Sequence, residues 1–212
     1  MKKRYSLILS LLTCLLSACA SFLAGGYVQS GREALIIGDN KEALAYFEKA
    51  AKQDPSYVTG FVLPEGIWSY VGRAEYANGE LSEARQSLER ALANDKDDNV
   101  ARLYLGLTVA RVGDRQTGLR EIETGLQGIH NWIDYVNDAF RFSYGRYWDP
   151  GREIRSEIEV DLGMISRKEF DWQKLIASGE WVGRKVEEEI DLARRDESRD
   201  LNRPGGEMHR GG

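Results

Sequence analysis

Four acidic side chains in the C-terminal third have a spacing that could support catalysis. Glu153 and Glu157 are four residues apart, so on a helix they would share one face. Asp149 and Asp161 lie one further turn away on either side. Two carboxyl groups held a few ångströms apart can serve as the acid and base of a glycoside hydrolase. Basic residues are interleaved with these acids, however, and that pattern is more typical of a solvated helix face.

Metal or nucleophile chemistry has few other candidate residues. The chain contains two histidines, His130 and His209. They provide little of the three- or four-ligand set that a transition metal needs. His130 is as consistent with a helix-end position as with a catalytic one. The glycines follow a repeat period rather than forming a phosphate-binding loop. We therefore predict a protein that is not an enzyme and that holds no metal.

The N-terminus carries the pattern of an export signal. Basic residues 2–4 precede an apolar run at about residues 6–16, which is shorter than the roughly 20 residues that span a bilayer. The residues directly before Cys19 are Leu16, Ser17 and Ala18. This order resembles the lipobox of bacterial lipoproteins. The resemblance implies that a signal peptidase recognises this box and removes residues 1–18. It also implies that lipid, including palmitate, is attached covalently to Cys19, and we predict no other cofactor.

The same resemblance places the protein in the cell envelope. Ala20 rather than an aspartate follows Cys19, which in Gram-negative lipoproteins favours the periplasmic face of the outer membrane. Cys14 is a poorer lipidation candidate because Thr13 precedes it. Cleavage leaves 26 of the 29 basic residues against 34 acidic ones, a net charge of −8, which argues against a nucleic-acid partner. With lipid on Cys19 no disulfide can form, so packing alone must hold the core.

Small and apolar residues recur along the chain at similar intervals, 41 residues and then 34. The turn positions are glycines, which tolerate a positive φ at little cost. This pattern resembles the tetratricopeptide repeat (TPR), which implies two antiparallel helices per repeat and repeats stacked into a superhelix. The recurring positions are Gly31, Gly38, Ala43, Phe47 and Ala50, then Gly72, Gly79, Ala84, Leu88 and Ala91, then Gly106, Gly113, Gly118, Ile122 and Gly125.

We accordingly predict an all-α fold: a right-handed TPR superhelix of three helix–turn–helix repeats with C-terminal capping helices. Seven extra residues around positions 59–64 predict a loop between the first two repeats. The predicted divisions are a signal peptide at 1–18, a lipidated anchor and short tether at 19–26, three repeats at 27–129, a helical cap or partner-binding region at 130–196 and a disordered tail at 197–212.

In the TPR family the first helix of each repeat lines a concave binding face. Arg32 and Arg73 occupy the same slot in successive repeats, and two arginines in one groove could grip a carboxylate or an acidic peptide segment. The alternative is that each arginine pairs with an acidic neighbour in its own array. The candidate concave-face residues implied by the family are Arg32, Ser69, Arg73, Tyr76, Leu103, Leu107 and Arg111.

The C-terminal region combines predicted helices with a run of aromatic residues. We predict helices at 130–147, 152–165 and 166–195, with Ser178–Gly179 as a candidate break in the last. The acidic run 187–189 predicts a solvent-facing surface. The aromatic run either belongs to a cap, which would bury most of its rings, or forms a binding surface, which would expose them. The candidate surface residues are Trp132, Tyr135, Tyr144 and Trp148.

Two functions are compatible with these features. The first is a membrane-anchored TPR scaffold or adaptor that holds a protein partner during cell-envelope assembly. The second is a periplasmic module that binds peptidoglycan or polysaccharide through the stretch Trp132–Trp148. Exposure of the rings discriminates the two, because a sugar-stacking platform needs at least two exposed coplanar rings beside a carboxylate.

Overall fold

The fold is taken from a computed structural model, which describes residues 20–59, 63–168 and 171–201. The predicted signal peptide, Cys19 and residues 202–212 of the predicted tail lie outside the described residues.

Within the described residues the chain forms eight α-helices, a 3-10 turn and one isolated antiparallel bridge between Val58 and Gly66. None of these helices combines the length and the apolarity needed to cross a lipid bilayer. The helices are α1 (residues 20–36), α2 (Asn40–Gln53), α3 (Ile67–Asn78), α4 (Leu81–Asn94), α5 (Asn99–Arg111), α6 (Arg115–Ala139), α7 (Glu153–Arg167) and α8 (Trp172–Leu201), and the 3-10 turn is Tyr144–Tyr147.

Helices α1 to α6 form three helical hairpins that close in the same way. A Cβ placed on Gly72 of α3 would lie 2.6 Å from Leu88 of α4, so only glycine lets these two helices cross so closely. Gly31 meets Phe47 and Gly106 meets Ile122 in the equivalent places. The turns contain glycines with positive φ at the predicted positions 38, 79 and 113. The predicted all-α, TPR-like fold is confirmed.

Aspartates cap the N-terminal ends of three of these helices. The side chain of Asp39 accepts a hydrogen bond from Glu42 N, and Asp114 accepts one from Thr117 N. Asp98 caps α5 by accepting from Ala101 N. Such caps satisfy backbone donors that a helix leaves unpaired at its start.

The boundaries of the C-terminal helices differ from the predicted ones. The prediction of a separate helix at 130–147 was wrong, because α6 continues without interruption to Ala139. Its buried face continues through Ile129, Ile133 and Val136. Helix α7 runs to Arg167, and Asp171 caps α8 by accepting from Lys174 N. The predicted start at residue 166 was therefore wrong.

Helix α8 is also longer than predicted. It continues through the candidate break at Ser178–Gly179 because Gly179 packs against α5 there, where a Cβ would lie 3.1 Å from Leu107. Its end at Leu201 places residues 197–201 in a helix rather than in the disordered tail that the sequence predicted.

Candidate functional site

The predicted concave face is largely covered by the chain's own α8. Six of its seven candidate residues are buried, and α8 contacts the array from Leu103 and Leu107 of α5 to Arg32 of α1. Tyr76 of α3 donates a 2.6 Å hydrogen bond from its hydroxyl to Glu180 Oε1 of α8. The six buried residues are Arg32, Ser69, Arg73, Tyr76, Leu103 and Leu107.

Glu187 of α8 joins the two arginines that occupy equivalent slots in the first two repeats. Its Oε1 accepts a hydrogen bond from Arg32 Nε, and its Oε2 accepts one from Arg73 Nη2 at 2.8 Å. Asp191, one turn further on, accepts from Arg32 Nη2 at 3.0 Å. The arginine pair thus does grip a carboxylate, but an intramolecular one from α8. The prediction that residues 187–189 face solvent was wrong for Glu187, which is 2 % exposed.

A second buried carboxylate, Glu65, completes this charged cluster. Glu65 lies in the loop between the first two repeats, and its Oε2 accepts from Arg73 Nη1 at 2.8 Å and from Ser69 Oγ at 3.3 Å. Burial raises the pKa of Glu65 to about 7, although the charge of Arg73 opposes that rise. Burial also opposes the charge on Arg73, but Glu65 and Glu187 outweigh it and raise the pKa of Arg73. Sequence reasoning missed Glu65, because the loop that inserts it has no repeat pattern.

Three residues at intervals of four let α8 lie close to the array. Gly179, Gly183 and Glu187 share one helix face. A Cβ on Gly183 would lie 2.5 Å from the ring of Tyr104, and one on Gly179 would touch Leu107. This stripe of two glycines and a glutamate is the sequence signal that could have placed α8 in the groove.

Helix α8 leaves part of the concave face open. A cleft of about 370 Å³ remains between the α1–α2 turn, α3, α5 and α8. The side chain of Arg111 at the rim of the cleft is 42 % exposed, and its guanidinium group lies 4.9 Å from the centre of the Tyr76 ring. Its ion pair with Glu180 is long, with 3.7 Å between Nη1 and Oε1. Arg184 of α8 also lines the cleft, is exposed, and forms no ion pair within 4 Å with a carboxylate of the described residues. Leu35 and Ile36 give the cleft an apolar side.

The predicted aromatic surface is partly packed inside the protein. Trp148 is 2 % exposed and meets Trp132 edge to face, with ring centroids 4.6 Å apart. Tyr144 stacks on Phe140 at 4.6 Å. Tyr135 is exposed and meets the Phe140 ring edge to face. Including Trp148 in an exposed surface was therefore wrong, and the two tryptophans are not coplanar.

Asp149, beside these rings, has a structural role. Its carboxylate accepts hydrogen bonds from the backbone of Ile154 and from the backbone and Nε of Arg155, while its own N–H donates to Glu189. These contacts fix the positive φ of Asp149 and tie the turn before α7 to α8. The carboxylate is consequently not free to act on a ligand.

The acidic residues of α7 pair differently from the predicted Glu153–Glu157 combination. Ser178 of α8 lies within 2.7 Å of Glu157 Oε1 and 2.6 Å of Asp161 Oδ2. Burial raises the pKa of Asp161 to about 6, although the hydrogen bond from Ser178 opposes that rise. Glu153 is exposed, and His130 lies within α6 between Asp134 and Glu159. In the described part of the chain no three His, Cys, Asp or Glu side chains are grouped so that they could hold a metal ion.

Comparison with known proteins supports the repeat fold over part of the chain. A segment of 63 residues, 30% of this chain, is 35% identical to the TPR repeat-containing protein PA0015 of Pseudomonas aeruginosa. The match spans about half of that relative, 53% of its length. No protein-family model matches the chain.

Proposed function

We propose that this protein is a lipid-anchored TPR adaptor that holds a protein partner in the bacterial cell envelope. The open cleft on the concave face of three TPR-like hairpins is the observation that carries the proposal. Repeat arrays present such extended concave surfaces to their ligands. The similarity to a TPR repeat-containing protein supports the same class of function.

The anchor in this proposal is lipid on Cys19, after removal of residues 1–18. The basic start, the short apolar run and the box Leu16–Ser17–Ala18 support it. We place the protein on the periplasmic face of the outer membrane because Ala20 follows the cysteine. The proposal assigns the protein no catalytic activity and no cofactor beyond the lipid.

Within the groove, we assign partner binding to the cleft lined by Arg111 and Arg184. The buried arginines Arg32 and Arg73 are already paired with Glu187, so we do not assign partner binding to them. Arg111 and Arg184 have incomplete or missing ion pairs, and Leu35 and Ile36 provide apolar contact beside them. A protein segment with a carboxylate next to an apolar side chain complements this arrangement.

In-cell crosslinking followed by mass spectrometry tests the adaptor role. Wild type is compared with the double variant Arg111→Glu/Arg184→Glu and with the matched control Arg85→Glu/Arg199→Glu, whose arginines are exposed away from the cleft. We expect a specific envelope protein to be captured by wild type and by the control, and its yield to fall at least about tenfold in the cleft variant. Equal capture by all three proteins would refute the assignment of the cleft, and no specific partner would refute the adaptor role.

A further inference from the structure

We propose that the first turns of α1 dock on the surface of the bilayer through Phe22 and Leu23. This inference rests on the proposed lipid anchor at Cys19. Phe22 is 84 % exposed and Leu23 is 50 % exposed, and no described residue covers them. Gly26, one turn further along the same face, has open space where a Cβ would stand. The start of α1 therefore has an apolar face with no protein partner among the described residues.

The composition of this segment suits the interface between lipid and water. Residues 20–31 contain no charged side chain, and the first charged residue of α1, Arg32, is buried against α8. Placing the segment at the headgroup level thus takes no charged side chain of residues 20–31 out of water. Exposed Phe and Leu side chains are the kind that enter the boundary between headgroups and acyl chains.

The position of these residues along the chain selects lipid as the occupant. Phe22 is three residues from Cys19, so their Cα atoms are at most about 11 Å apart even in an extended chain. Acyl chains on Cys19 would lie in the hydrocarbon, which brings Phe22 and Leu23 to the membrane surface. Two exposed side chains are too few for a stable protein interface, which usually involves about 20 residues on each side.

The start of α1 is also fixed to the rest of the protein. Ser21 Oγ donates a 2.7 Å hydrogen bond to Asp54 Oδ2, and Gly25 lies against the hydroxyl of Tyr57. Val58, which follows Tyr57, is a further exposed apolar side chain near the start of α1. Docking of α1 would therefore set the orientation of the array. The sequence predicted a short tether at residues 19–26, whereas residues 20–26 belong to helix α1.

The test uses the intact mature lipidated protein in vesicles of phosphatidylethanolamine and phosphatidylglycerol that contain a phospholipid with a photoreactive headgroup. After illumination, mass spectrometry locates lipid adducts along the chain. We expect adducts to be enriched at least about tenfold at residues 20–27 over the rest of the chain. The double variant Phe22→Ser/Leu23→Ser should lose this enrichment, whereas Phe142→Ser/Val160→Ser, which changes exposed apolar residues outside α1, should keep it.

Failure of docking and failure of the anchor give different results. The mass of the N-terminal peptide reports lipid on Cys19 independently of the adducts. Lipidated protein without enrichment at residues 20–27 overturns the docking proposal and leaves the anchor intact. Unmodified Cys19 overturns both. Adduct mapping of the wild type needs no substitution, so the outcome does not depend on how the variants fold.

Discussion

Arg73 of α3 donates a 2.8 Å hydrogen bond from Nη2 to Oε2 of Glu187, which is 114 residues further along the chain. Both side chains are 2 % exposed. Because Oε1 of the same carboxylate pairs with Arg32, one glutamate bridges guanidinium groups from two successive repeats. This pairing holds α8 across the concave face, and both Arg73 and Glu187 lie at the inner wall of the open cleft beside Arg111.

Replacing Glu187 should strongly destabilise the protein. Glu187→Gln leaves two buried guanidinium groups with less negative charge, and breaking a buried ion pair typically costs about 3–5 kcal/mol. The adjacent Glu188→Gln is a matched control. Glu188 is partly exposed and, among the described residues, forms an ion pair only with Lys185, so its loss should cost at most about 1 kcal/mol. Urea unfolding of both variants measures the difference, and equal losses would contradict the role of Glu187.

The helix crossings predict opposite effects for two glycine-to-alanine changes. In Gly106→Ala the new Cβ would lie 2.5 Å from the backbone nitrogen of Ile122, which has little room to move. We expect a loss of about 1–3 kcal/mol in the free energy of unfolding. In Gly26→Ala the Cβ enters open space in a helix, which should stabilise by about 0.5–1 kcal/mol. Thermal unfolding distinguishes the two, and a stabilising Gly106→Ala would contradict the close crossing.

The raised pKa of Glu65 predicts that the free energy of unfolding depends on pH. Its pKa is about 7 in the folded protein and about 4.3 in an unfolded chain, so between these values the folded state binds more protons. Stability should therefore fall as pH rises from about 4.3 to 7, and the raised pKa values of Glu75, Asp98 and Asp161 act in the same direction.

Urea unfolding at several pH values between 5 and 8 tests this dependence. Glu65→Gln should flatten the slope by up to about one proton, because the substituted side chain no longer titrates. Asp98→Asn should flatten mainly the part of the slope below pH 6, where the pKa of Asp98 lies. An unchanged slope in Glu65→Gln would show that this carboxyl does not titrate in the predicted window.

The aromatic stretch can be divided by substitution into packed and exposed rings. Trp148→Ala should cost about 3–5 kcal/mol, because the indole is buried against Trp132. Phe142→Ala should change stability by less than about 0.5 kcal/mol, since the Phe142 ring is 89 % exposed. Circular dichroism during thermal unfolding provides the comparison, and a stable Trp148→Ala variant would argue against a packed cap.

The repeats were predictable from sequence, whereas the occupant of their groove was not. Gly72 and Leu88 meet within one hairpin, so their spacing and the glycine between the helices were enough to predict the contact. Glu187, Glu188 and Glu189 look alike in sequence, yet only the rotation of α8 decides that Glu187 enters the core. Its partners lie in helices more than 100 residues away, and no local pattern connects them.

Glu65 and Trp148 show the same limit of local patterns. Glu65 lies in an irregular loop, and its burial depends on Arg73 being available in the next helix. Trp148 follows a 3-10 turn and packs against α6, so its burial depends on the way the chain turns between α6 and α7. Composition indicated aromatic residues there but not the direction in which each ring points.

The long separation between Arg32 and Glu187 also has a consequence for how the protein is made. A ribosome completes all three repeats well before it reaches residue 187, so the two guanidinium groups exist for a time without their shared counter-ion. A polypeptide that terminates early, or that a protease clips ahead of α8, keeps every repeat but lacks that carboxylate. Such fragments should be poorly folded and rapidly degraded, which makes the stability of the array a check on synthesis of the whole chain through α8.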